Sequence, residues 1–123
     1  MTKNQIVLMQ KIRTLPQKQG WDGYNAKPIS SDLSRLVYKW FSRHKDKLIA
    51  SSDTLEMYCV PVGNGHIQLE FYFASRSLEL EFTPYGSILF LKQEGEKYID
   101  GSFSVFQEEK IGELFEWLTE PQC

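Results

Sequence analysis

MYCVPVGNGHIQLEFYF, residues 57–73, is where the chain stops reading as helix and begins to read as sheet. Ile67, Leu69, Phe71 and Phe73 recur at a spacing of two, the period that sends alternate side chains to one face of a strand. Asn64-Gly65 is a pair preferred in two-residue hairpin loops, because both residues accept the positive φ such turns demand. The pattern then repeats. The loop Ala74–Ser77 leads into LELEF, PYGS (84–87) turns the chain into SILFL, and Glu94-Gly95 turns it towards Lys97-Tyr98-Ile99. The expectation is an antiparallel meander of four to five strands over residues 56–100. With Asn64-Gly65 and Ser75-Arg76 as loop centres, Val60 faces Leu69, Phe71 faces Leu80 and Phe73 faces Leu78, giving one continuous apolar face.

Helices flank this sheet. Leu8, Ile12 and Leu15 mark one side of a helix over residues 3–14, and Leu15-Pro16 stops it. Residues 31–48 form the clearest helix: Ser30 or Ser31 caps it and Asp32 complements the positive end of its dipole. Leu33, Leu36, Val37, Trp40, Phe41, His44 and Leu48 line its inner face. A third helix is expected over residues 105–118, with Ser104 and Gln107 spaced as a capping box and Ile111, Leu114, Phe115 and Leu118 on its apolar side. The class is therefore α+β: one domain, residues 1–123, with two N-terminal helices and one C-terminal helix mainly on one face of the sheet.

A chain of 123 residues with 41% apolar and 14% aromatic content can bury one core, which excludes general disorder. No apolar run approaches the ~20 residues of a membrane span. The apolar run Ile6–Met9 is too short for the ~7–15-residue centre of a signal peptide, so a cytoplasmic protein with no membrane partner is expected. Cys59 lies within a strand pattern and Cys123 is terminal, too few cysteines for a disulfide-held secreted domain. There is no CxxC or HExxH element, and neither a metal nor a cofactor is expected.

The net charge of −2 is unevenly divided. Residues 1–50 carry ten basic and three acidic side chains, while residues 51–123 carry four basic and thirteen acidic ones. A bipolar surface follows if helices and sheet pack as separate layers.

Between the first two helices lies GWDGYNAKPIS, residues 20–30. Asp22-Gly23 and Asn25 are turn formers, Pro28 stiffens the approach to the second helix, and Trp21 and Tyr24 can fold back as aromatic lids. Two aromatic anchors in one loop favour an architectural role over a binding one. Leu15-Pro16, this WDGYNAKPIS segment, the helix after it and the VPVGNGHIQLEF hairpin resemble a group of small uncharacterised bacterial proteins. These occur in accessory or mobile DNA, including integron gene cassettes. The resemblance implies a bacterial accessory protein and supplies no catalytic residue.

The expected register also sets Glu70 opposite Glu81 and Glu79 opposite Tyr72 on the outer face, shared with Met57, Cys59, His66, Gln68, Thr83, Ile88, Phe90 and Ile99. Facing like charges are mildly destabilising, on the order of tenths of a kcal/mol. A solvated sheet face is the ordinary use of such a surface, and two carboxylates are too few for a metal site. The sharper use is binding a basic protein partner, with Met57, Glu70, Tyr72, Glu79, Glu81 and Phe90 as contact residues. The alternative is nucleic-acid binding through Arg35, Lys39, Arg43 and Lys47, which wind along the second helix at a spacing of four. The acidic pI of about 5.7 counts against it. Basic stripe and acidic sheet can also meet between two copies, making a homo-oligomer. An enzyme ranks third. Cys59, His66 and Glu70 share a face in this register, but His66 lies ~13 Å along the strand from Glu70, outside proton-transfer reach. His44 sits on an apolar face as a core histidine. No catalytic residue is assigned.

Overall fold

The computed structural model describes residues 2–17, 20–23, 26–51 and 54–120, with the side chains of 49–51 excepted. Tyr24, Asn25 and Cys123 fall outside the described residues.

Helix α1 (Lys3–Arg13) begins at Thr2, whose hydroxyl accepts the Gln5 backbone N–H while the Gln5 side chain accepts the Thr2 N–H, a full capping box. Helix α2 (Ser31–His44) is capped by Ser30, whose Oγ accepts the Leu33 N–H at 3.0 Å. Such a cap is worth about 1 kcal/mol. The α-helix stops at His44, earlier than the pattern indicates, and Lys45–Ser51 continue as a 3-10 segment that carries Lys47 and Leu48. Helix α3 (Glu108–Thr119) starts later than expected. The Gln107 side chain does reach back to the Ser104 N–H, at 2.7 Å. The Ser104 hydroxyl, however, accepts from Phe106 instead of Gln107, so only half of the box forms.

Five strands make one antiparallel meander in chain order: β1 (Glu56–Pro61), β2 (Ile67–Phe73), β3 (Arg76–Phe82), β4 (Ser87–Glu94) and β5 (Lys97–Ser104). The α+β expectation holds, with the fifth strand extending past residue 100. The inner face presents Ile67, Leu69, Phe71, Leu78, Leu80, Phe82 and Ile88, all buried. Against it pack Leu8, Met9 and Ile12 of α1, Val37, Trp40 and Phe41 of α2, and Ile111, Leu114 and Phe115 of α3. The Trp40 ring meets Phe82 edge-on at 4.8 Å, and Phe71 meets Phe115 at 5.4 Å, which ties both helices to the sheet centre.

Three hairpins differ from the sequence-based register, two of them for the same reason. The β1–β2 loop holds three residues: the Gly65 N–H donates to the Val62 carbonyl and the Val62 N–H to the His66 carbonyl, both at 2.9 Å. Gly65 has φ +88°, the left-handed residue that completes such a loop. The β3–β4 loop repeats this geometry, with the Gly86 N–H on the Thr83 carbonyl, the Thr83 N–H on the Ser87 carbonyl, and φ +84° at Gly86. One extra loop residue inverts the facing of a strand. Cys59, not Val60, therefore faces Leu69. Met57, Cys59, Ile88 and Phe90 turn inward, not outward. The β2–β3 loop is tighter than expected, only Ala74-Ser75. Arg76 joins β3 because its guanidinium is held by Glu94 at 3.0 Å and by the Trp117 ring. That moves the β2–β3 pairs by two residues: Phe71 faces Leu78, Phe73 faces Arg76 and Tyr72 faces Ser77.

The GWDGYNAKPIS loop is tied into the framework by its backbone. Gly20 N–H donates to Ala26 carbonyl at 2.7 Å, Lys27 N–H to Gly63 carbonyl at 2.8 Å, and Ile29 N–H to Pro16 carbonyl at 2.9 Å. The Trp21 indole N–H closes the loop on the Lys27 carbonyl at 2.7 Å. Trp21 is thus an anchor within its own loop, and the loop braces the turn that sets the facing of β1.

Candidate functional site: the outer sheet face

No described helix lies over the other face of the sheet; α1 packs on the inner side with the rest of the core. The register lays the outer side chains in three cross-strand rows. The central row runs Tyr58, Glu70, Glu79, Leu91, Asp100 from β1 to β5. On one side runs Val60, Gln68, Glu81, Leu89, Ser102, and on the other Glu56, Tyr72, Ser77, Gln93, Tyr98. Of the six residues expected to contact a partner, Glu70, Tyr72, Glu79 and Glu81 belong to these rows. Met57 and Phe90 do not. Met57 is half-buried against the core, and Phe90 is buried beside Phe103, with the Lys110 ammonium 5.0 Å from its ring centre.

The expected Glu70–Glu81 pair is corrected as well. Glu70 faces Glu79, and Glu81 faces Gln68. Glu70 accepts the Gln68 amide at 2.7 Å and the Tyr72 hydroxyl at 3.0 Å. Glu81 accepts from His66 Nδ1 at 2.7 Å, which places the ring proton on that nitrogen. Glu79 stands between them, half-buried, with no hydrogen-bond or ion-pair partner among the described residues. Partial burial, then Glu70, then Glu81 raise its pKa above the ordinary carboxylate value.

Beside Glu79 a shallow trough of about 430 Å³ is lined by Gln68, Glu81, Leu89, Leu91, Asp100 and Ser102, with Phe90 and Gly101 completing the lining. Toward β1, Tyr58 and Tyr72 meet edge to face at 5.8 Å, with the Tyr58 hydroxyl on Glu56. The carboxylates raise both phenols: the Glu56 charge is foremost for Tyr58, while partial burial and then Glu70 push Tyr72 up to about 12. Tyr58, Leu89, Leu91 and Asp100 lie on this face, where the sequence-based register does not put them. Their signal was present in GNG and PYG, each with a glycine third in the loop, where left-handed φ adds a residue.

The basic stripe is exposed, but much of it is engaged. Arg35 pairs with Asp32 at 3.4 Å, Arg43 with Glu108 at 2.9 Å, and the Lys47 ammonium donates to His44 Nδ1 at 2.9 Å. Lys39 is exposed and has no hydrogen-bond or ion-pair partner among the described residues. His44 is buried in the core as expected, and burial, then the Lys47 charge, lower its pKa.

The Cys59–His66–Glu70 grouping is separated. Cys59 lies under the inner face, and burial pushes its thiol up to about 12, so it is not a thiolate near neutral pH. His66 and Glu70 lie on the outer side. Among the described residues, no three His, Cys, Asp or Glu side chains are grouped to hold a metal ion. None of the described helices is long and apolar enough to cross a membrane. No protein-family model, curated protein or solved structure matches this chain.

Proposed function

We propose that this protein is a non-catalytic interaction module of a bacterial accessory gene, and that it binds a basic protein partner through the outer face of its sheet. One observation carries the reading: Glu79 is half-buried between Glu70 and Glu81 and has no pairing partner among the described residues. A carboxylate held there weakens the fold and is relieved by a cation from outside. The trough favours a lysine or arginine side chain, whose stem lies over Leu89 and Leu91 while its charge sits among Glu79, Glu81 and Asp100. Tyr58, Tyr72 and Val60 offer exposed apolar surface beside it, the mixture of aromatic anchors and charge found at protein interfaces.

The alternative, nucleic-acid binding by Arg35, Lys39, Arg43 and Lys47, has weaker support, because three of the four cations already have partners within the chain. Affinity capture from a bacterial lysate with three baits separates the two. The Glu79→Lys/Glu81→Lys variant should lose a basic protein that the parent captures, and Lys39→Glu/Arg43→Glu should retain it. The reading fails if the acidic-face variant captures the same protein as the parent.

A further inference from the structure

The two edges of the sheet are finished differently. At β1 the edge is short and blunted: Pro61 ends it, α1 packs beside it, and the Asn4 amide donates to the Leu55 carbonyl just before it. The β5 edge has none of these devices. Its eight residues pair with β4 without a bulge, from Glu94 with Lys97 to Ser87 with Ser104. The whole run Lys97–Ser102 is exposed, with Tyr98 at 69% and Ile99 at 60%. An open strand with exposed apolar side chains and no proline is a template for another strand.

The hairpin geometry shows which main-chain groups are open. Glu94 and Lys97 close a two-residue loop, Gly95-Glu96, so they form a hydrogen-bonded pair. Alternation then points the N–H and C=O of Lys97, Ile99 and Gly101 toward β4 and those of Tyr98, Asp100 and Ser102 outward. At the far end, Gln107 already occupies the outward Ser104 N–H. The usable edge is therefore Tyr98 to Ser102.

We infer that this edge pairs with the same edge of a second copy, antiparallel, about a two-fold axis at Ile99. Ile99 then faces its own copy in a non-hydrogen-bonded pair. Tyr98 faces Asp100 of the second copy, where main chains exchange hydrogen bonds and the phenol donates to the carboxylate. Neighbouring registers are worse. Centring on Asp100 sets two carboxylates face to face, and centring on Gly101 calls on the Ser104 N–H that Gln107 holds. A parallel pairing about an axis along the strands would stack Lys97 on Lys97. The product is a ten-stranded sheet with its two acidic faces on one side. This inference stands independently of what those faces bind.

Native mass by light scattering across a concentration series is the test. The parent should move from the 14.4 kDa chain mass toward twice that value as concentration rises. Ile99→Lys and Asp100→Pro alter exposed edge positions, and each should remain at the monomer mass while keeping the parent's circular dichroism. Ile99→Cys, made in a Cys123→Ser chain, should form an intermolecular disulfide under mild oxidation, because facing Cα atoms in such a pair are about 4.5 Å apart. A parent that stays monomeric at every concentration overturns the inference and leaves the edge to a foreign strand. A dimer that survives Ile99→Lys, or that does not cross-link through Ile99→Cys, overturns it equally.

Discussion

Glu70 of β2 stands directly across from Glu79 of β3, and the two share a sheet face that no described helix covers. Glu70 is held by an amide and a phenol, whereas Glu79 has neither donor nor cation among the described residues. Burial, Glu70 and Glu81 together raise the Glu79 pKa above 4.5. A carboxylate raised on folding contributes stability below its unfolded pKa and loses it as pH rises through the folded value. Glu79→Gln should therefore stabilise the fold at pH 7 by a few tenths of a kcal/mol, since the site is partly solvent-screened. The gain should vanish below about pH 4, where both states are protonated. Urea unfolding at the two pH values checks this. A destabilised variant at pH 7 would mean that Glu79 is satisfied, and the case for an outside cation would fall with it.

The turn glycines make a second prediction. Gly65 and Gly86 both have left-handed φ, which costs a non-glycine residue roughly 1–2 kcal/mol. A Cβ at Gly86 meets nothing within 4 Å, whereas one at Gly65 comes within 3.4 Å of the Pro28 carbonyl oxygen and 3.5 Å of the Lys27 Cβ. Because the Gly65 contacts are ordinary van der Waals distances, Gly65→Ala and Gly86→Ala should each lose about 1–2 kcal/mol, as two denaturation curves will show. A clearly larger loss at Gly65 would mean that the braced loop cannot give at the β1–β2 turn.

His44 predicts how stability responds to mild acid. Burial, Lys47 and Arg43 hold its pKa below 6.5, with Glu108 opposing them in part. The unfolded chain then binds the proton more readily, so stability is complete above the unfolded pKa of 6.5 and is lost as pH falls through the folded value. The slope on the acid side of neutrality should stay under about 1.4 kcal/mol per pH unit, the limit for one proton. His44→Leu should flatten it. An unchanged slope in that variant would assign the acid sensitivity to another group.

The loop between α1 and α2 can be tested through one bond. Trp21→Phe keeps an aromatic ring at the position and deletes the indole donor to the Lys27 carbonyl. A loss of about 1 kcal/mol is expected, the ordinary worth of such a bond. The inner facing of β1 should persist, which protection of Cys59 from alkylation would report.

The sequence by itself determined the elements and their class. Helical spacing at Leu33, Val37, Trp40 and Phe41, alternation at Ile67, Leu69, Phe71 and the Ser30 cap are local properties, and each survives in the structure. The acidic outer face was legible too, because the facing of Glu70, Glu79 and Glu81 depends on alternation along β2 and β3 alone. Which other residues join them was not. That depends on loop length, where one residue inverts a whole strand: Asn64-Gly65 suits a two-residue turn, yet the chain makes a three-residue one. The deciding contacts are distant in sequence: Lys27 on Gly63 braces one loop, and Glu94 with Trp117 draws Arg76 out of another into β3. The packed chain placed Leu89, Leu91 and Asp100 beside Glu79 and Tyr58 across from Glu70, buried Phe90, and left β5 open at the edge. Alternation fixes which side chains travel together. Only the packed chain fixes which way they face.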